Sequence, residues 1–282
     1  MTDNLPATID NLSYEDYASM TGMPAEFKQF LPTLRVNRDP TDDDEHQLPM
    51  GHYCLDTTDG RVFGKPVKFR AFINAYQILR FCPIEKKYVN RTIIFNNWKE
   101  EKLDALGGLN CGKVFGKAKE QLTADEAAKQ KDIKTHRLLY GIVSFEGVTA
   151  TKKPVNIENV PVVWRTSGTN FIPVGDALGL FTKKKLMAMK FNLILDTKRE
   201  KAGATIYYPA VITPDFSSPL PVGKTEMETL KVFQEIISVE NQSVLREHAE
   251  ARKTHKDIDL DPSDVQELAN DLNDDVSDLG KK

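Results

Sequence analysis

The sequence predicts an α+β fold built on a small antiparallel β-barrel or strongly bent sheet, with helices interposed and one long helix closing it. Three observations predict this class. Short apolar runs with a period near two recur between residues 51 and 212. No alternating strand–helix series and no fixed-period repeat runs through the chain. The 282 residues are 40% hydrophobic and 28% charged, enough apolar material for a real core.

Taken in order, residues 1–50 are rich in Asp, Pro and Thr and are expected to form an acidic arm, with Phe27, Phe30 and Leu31 docking on the body. The run Asp42, Asp43, Asp44, Glu45 lacks the alternating order of a calcium loop, so it is expected to be solvated. GHYCLD (51–56) alternates and ends at the turn signal Asp59-Gly60. VKFRAFINAYQILRF (67–81) is a long strand, stopped by Cys82-Pro83, and KYVNRTIIFNNW (87–98) reads as its partner. KEEKLDAL and TADEAAKQKDIK look helical, the second with a capping box of Thr123 and Glu126. RLLYGIVSFEG (137–147) and VPVVWRTSG (160–168) return to strand, and VGDALGLFTKKKL (174–186) to helix. MKFNLILD (189–196) and ATIYYPAVI (204–212) flank KREKAG as a basic-tipped β-hairpin, and residues 225–253 form a long helix.

No run approaches the ~18–20 unbroken apolar residues of a membrane span. The start, MTDNLPATID, lacks the apolar core of a secretory signal. Cys54, Cys82 and Cys111 are too few for a disulfide framework and point to a reducing, cytoplasmic setting.

The net charge of −3 hides a segregation. Residues 1–60 hold 12 acidic and 3 basic residues, and residues 257–282 hold 9 and 2. Residues 61–256 hold 33 basic against 20 acidic, a net +13. The reading is three parts: an acidic arm (1–50), a basic β-rich body (51–256) that meets a polyanion, and an acidic tail (257–282) that competes with it. Tail residues Val265, Leu268, Leu272, Val276 and Leu279 recur at helical spacing. With Asp264, Asp274 and Asp275 around them, they are expected to fold on a partner protein.

Unpaired strands are bound by cations on phosphates and rings under bases. In residues 67–81 strict alternation puts Lys68, Arg70, Phe72, Tyr76 and Arg80 on one face, opposite a core face of Val67, Phe69, Ala71, Ile73, Ala75 and Leu79. Phe72 and Tyr76 either stack bases or meet a second core layer. Arg91 and Trp98 on the next segment extend the face. Lys113, Lys117 and Lys119, then Lys183, Lys184 and Lys185, then Lys198, Arg199 and Lys201, are each ordinary solvated surface alone but line one groove if brought together. Trp164 reads as core, which sends Arg165 to the opposite, basic side.

Enzyme signals fail. GGLNCGKV (107–114) fits GxxxxGK, yet Val114 stands where a Mg²⁺-binding hydroxyl is needed, and a charged stretch precedes it instead of a strand. His52, Cys54, Cys82 and Cys111 offer zinc-type ligands without the tight Cys-x₂₋₄-Cys pairs of structural sites. No enzyme, cofactor or metal is expected.

LDPSDVQELANDLNDDVSDL in the tail, with the aromatic-basic strand, resembles the phage single-stranded DNA-binding proteins built on an OB-fold. GRVFGKPVKFRAFINAYQILRF and PVVWRTSGTNFIPVGDALG likewise resemble tailed-phage sequence. The resemblance implies an OB-like antiparallel barrel with helical insertions, a basic hairpin, a C-terminal helix and the acidic tail. It also implies sequence-nonspecific binding of single-stranded DNA in phage replication or recombination inside the infected cell, with replication or recombination proteins recruited by the tail. Self-association is compatible with it. The tail departs from those that end in an aromatic residue, since it ends Leu279-Gly280-Lys281-Lys282. The competing readings are a virion structural or assembly protein, a strand-annealing recombinase, and an RNA-binding variant.

Overall fold

The computed structural model describes residues 31–58, 60–116 and 121–256. Over these the fold is α+β, on a large and mostly antiparallel sheet. The strands are β1 (Thr33–Val36), β2 (Tyr53–Thr57), β3 (Gly60–Gly64), β4 (Val67–Cys82), β5 (Lys87–Arg91), β6 (Ile133–Thr149), β7 (Pro154–Thr166), β8 (Asn192–Thr197), β9 (Glu200–Ala202), β10 (Thr205–Tyr207) and β11 (Ala210–Asp215). The helices are α1 (Ala124–Asp132), α2 (Phe171–Lys184) and α3 (Lys224–Lys256). The described residues from Pro32 to Lys256 belong to one compact unit. Strand β1, inside the span expected as an acidic arm, belongs to the sheet.

β3 and β4 pair one after the other with the long β6, β3 at its C-terminal end and β4 along the rest. β3 also pairs with β2, β2 with β1, and β1 with β7, which returns to β6. The five strands close a ring of hydrogen bonds. An odd-numbered ring cannot be antiparallel throughout, and the mismatch falls on the parallel pair β1–β7. The ring strands share one buried cluster that includes Leu34, Tyr53, Leu55, Val62, Leu139 and Trp164. Trp164 meets Tyr53 and Phe69 edge-on, each at 5.8 Å between ring centroids. Val174 and Phe181 of α2 join the same cluster. Burial of each such side chain contributes about 1.5–3 kcal/mol.

The expected hairpin forms: β8 pairs with β11, and β9 with β10 carries it outward to a turn at Gly203, φ +59°. The capping box of α1 is complete, with Glu126 N donating to Thr123 Oγ1 and Thr123 N to the Glu126 carboxylate. The helix expected over KEEKLDAL does not form. There Asp104, almost fully buried, accepts hydrogen bonds from the amides of Leu106, Gly108 and Cys111, and these fold the chain into a compact loop.

One local feature sets which side chains share a face. Ala71 pairs with Gly141 but Ile73 pairs with Tyr140, so Phe72 is an extra residue in β4. A one-residue insertion exchanges the faces of everything beyond it. Val67, Phe69 and Ala71 therefore share a face with Asn74, Tyr76, Ile78 and Arg80, while Lys68 and Arg70 share the other with Ile73, Ala75, Gln77 and Leu79. The single basic-aromatic face expected for residues 68–80 is divided in two.

Helix α3 lies against the Arg70 side. Its residues Phe233, Ile237, Glu240, Val244 and His248 recur every three or four positions, one stripe of a helix. Phe233 packs on Phe72 and Tyr140, and Asn241 exchanges hydrogen bonds with the backbone of Ile94. Among the described residues no helix is long and apolar enough to cross a membrane.

Candidate nucleic-acid interface

The opposite face of β4, beyond the bulge, carries a connected row of aromatic rings. Tyr76 exchanges two backbone hydrogen bonds with Phe95, at 2.7 and 2.9 Å, which sets the two side chains next to each other. Trp98 follows after a turn in which Asn97 Oδ1 accepts from Lys99 N, and lies 4.7 Å from Tyr76 and 4.9 Å from Phe95. Phe115 stands 6.3 Å from Trp98 on one side, and Phe171, the first residue of α2, 6.1 Å from Tyr76 on the other. Trp98 is 46% exposed and Phe115 50%. Rings that served only the core would be covered, so two large faces remain available for stacking.

Three cations sit over this row. The Lys113 ammonium is 5.5 Å from the Phe115 ring and that of Lys102 is 5.2 Å from Phe95. The Arg137 guanidinium lies between Tyr76 and Phe171, at 5.0 and 4.8 Å. Arg137 reaches this place because β6 pairs it with Tyr76 on one side and Thr166 on the other. It donates to Asn74 Oδ1 and Tyr76 Oη, and its Nε has no partner. Burial pushes the Lys113 ammonium below the usual lysine range.

The loop that carries the lysines is held under strain. Asn110 and Cys111 adopt left-handed φ values of 53° and 57°, a region that Asn enters readily and Cys only at some cost. Asp104 fixes the Cys111 amide at 2.9 Å, and Asn110 exchanges bonds with the backbone of Lys102. The Cys111 thiol faces the Ile78 carbonyl, and burial pushes its pKa up to about 12, so the free thiol stays protonated. Cys54 lies in a different cluster, with Leu48 and Phe63, so the two thiols do not converge as zinc ligands would. Among the described residues, Asp42, Asp44 and His46 bring ligand atoms within 4.8 Å of one another, but His46 already bonds Asp42 through both its amide and its ring.

Of the residues expected to bind nucleic acid, Tyr76, Trp98 and Lys113 belong to this row, and Arg80 shares the face with Tyr76. The other described ones lie elsewhere. Arg70 is 7% exposed and is bound by Glu226 of α3 and by the Met189 and Pro221 carbonyls. Phe72 is pinned under Phe233. Arg91 is clamped by Glu240 and Glu247 at 2.7–2.9 Å, because its pairing with Leu79 turns it toward α3. Lys68 and Arg165 are exposed, but the strand registers put them on the face away from Tyr76.

Lys183 and Lys184 end α2 and Lys185 caps it, and the helix's 14 residues put them about 20 Å from Phe171 at its start. Lys198 and Arg199 follow β8, which pairs with the Val67 end of β4, and Lys201 lies in β9. Among the described residues the ring that Lys184 meets is Phe216, at 5.1 Å, which is not part of this row. Lys117, Lys119 and the tail residues Asp264, Leu268, Leu272, Asp274, Asp275, Val276 and Leu279 lie outside the described residues.

Sequence reasoning missed Phe95, Lys102, Phe115, Arg137 and Phe171. Phe115 was visible inside GGLNCGKVFGKAK, two residues after Lys113, and Arg137 as a lone cation opening an apolar strand. Comparisons of the chain with protein-family models, with curated proteins and with solved structures find no match.

Proposed function

We propose that the protein binds single-stranded DNA without sequence preference, and that the row Phe115–Trp98–Tyr76–Phe171 is its stacking surface. The observation that carries this reading is a connected set of rings, two of them half exposed, with a cation over the rings at three places. Every base has a π-face, so stacking accepts any sequence, while the lysines release counterions from phosphate. This row replaces the alternating strand face as the basis of the proposal. The five-strand ring is the element that supports an OB-like reading of the core, and the acidic tail supports a role beside replication or recombination proteins in a phage-infected cell. In this scheme the tail screens the cations until DNA displaces it.

The test is a titration of labelled poly-dT at several salt concentrations. Binding with a steeply negative slope of log affinity against log salt supports the reading. Removal of residues 257–282 is expected to tighten binding, most at low salt. No measurable strand affinity at low salt contradicts the proposal.

A further inference from the structure

Beside Trp98 lies a cavity of about 430 Å³, lined by Phe95, Trp98 and Phe115 and by Lys99, Lys102 and Lys113. That size is within the range of small-molecule sites. The decisive residue is Lys102. It is only 4% exposed, and its ammonium faces the Phe95 ring with no carboxylate paired to it among the described residues. Arg70, equally buried, is answered by Glu226. Lys102 and Lys113 thus place two ammonium groups among the cavity's aromatic walls with no carboxylate paired to either among the described residues, an arrangement that favours an anion. Lys113 gives one of its three donors to Thr135 Oγ1 and keeps the others. Glu100 and Glu101 also line the cavity and are exposed. The strained turn at Asn110 and Cys111 connects the two lysines, and its cost is understandable if their spacing matters.

We propose that this cavity captures one nucleotide: Lys102 and Lys113 hold its phosphate while its base stacks on Trp98. The inference rests on the single-strand reading above and adds to it a discrete phosphate subsite at one end of the aromatic row. An internal phosphodiester and a terminal 5′-phosphate offer the same chemistry to the two lysines.

The experiment follows Trp fluorescence while thymidine 5′-monophosphate, thymidine, and d(T)₄ with and without a 5′-phosphate are titrated into the full chain. The monophosphate is expected to quench saturably and to bind at least tenfold more tightly than thymidine. Lys102→Met is expected to abolish that difference. Lys113→Gln, at a half-buried position, is expected to reduce it, which keeps the test valid if the first variant unfolds. Tighter binding of 5′-phosphorylated d(T)₄ assigns the site to a chain end, and equal binding assigns it to an internal phosphate. Equal affinity for thymidine and its monophosphate, with poly-dT still bound, overturns the subsite and leaves the general reading standing. Binding of the monophosphate without poly-dT binding supports the subsite and overturns the general reading.

Discussion

Phe72 and Phe233 meet edge-to-face, with ring centroids 5.7 Å apart and planes at 76°. This contact joins the extra residue of β4 to the long helix α3. The bulge turns Phe72 toward the helix, and Phe233 fills the space above it and Tyr140. The same pair fastens α3 to the sheet on the side away from Tyr76.

Truncation of Phe233, which is fully buried, is expected to destabilise the fold by about 3–5 kcal/mol, the usual range for a core Phe→Ala change. Urea denaturation of Phe233→Ala measures it. A loss below about 1 kcal/mol would mean that α3 is only loosely seated.

Arg91 separates the strand-face expectation from the structure. Its guanidinium is committed to Glu240 and Glu247. These side chains are about a third exposed, so solvent screening holds the loss in Arg91→Ala to about 1–2 kcal/mol. Affinity for poly-dT is expected to stay within twofold of wild type. A tenfold weaker complex from a folded Arg91→Ala would return Arg91 to the interface.

His136 sets an acid limit. Its imidazole is buried, its Nε2 lacks a partner, and it stands near Tyr88, Arg165 and Lys134. Burial first, and then the Arg165 and Lys134 charges, push its pKa from 6.5 down to about 4. Between these values the unfolded chain binds a proton that the folded chain refuses. Stability is thus whole above pH 6.5 and falls as pH drops toward 4, by up to roughly 3 kcal/mol. Denaturation of wild type and His136→Leu across pH 4–7 is the check. The variant should show a flatter dependence in that window, and identical slopes would remove His136 as the cause.

Much of the fold was legible because its signals are local. The Thr123–Glu126 capping box, the turn at Gly60, the stop at Cys82-Pro83 and the stripe of α3 each lie within a few residues. The bulge at Phe72 was not legible. Strict alternation predicts one face for residues 68–80, and only the partner strand β6 reveals the extra residue. The site suffered the same way. Tyr76, Trp98 and Lys113 were singled out by type, but Arg137 and Phe171 join them through pairings that span about 60 and 95 residues of chain. The helix expected at KEEKLDAL was lost to Asp104, whose capture of three loop amides outweighs helix propensity once it is buried.

The most direct measurement is the poly-dT affinity of Trp98→Ala beside that of the wild-type chain, at low and moderate salt. Trp98 is half exposed, and circular dichroism of the variant checks that the fold is kept. A stacked base contributes about 1–3 kcal/mol, which predicts a loss of roughly 5- to 150-fold with the salt dependence retained. Unchanged affinity in Trp98→Ala, or no affinity in wild type, would contradict the account.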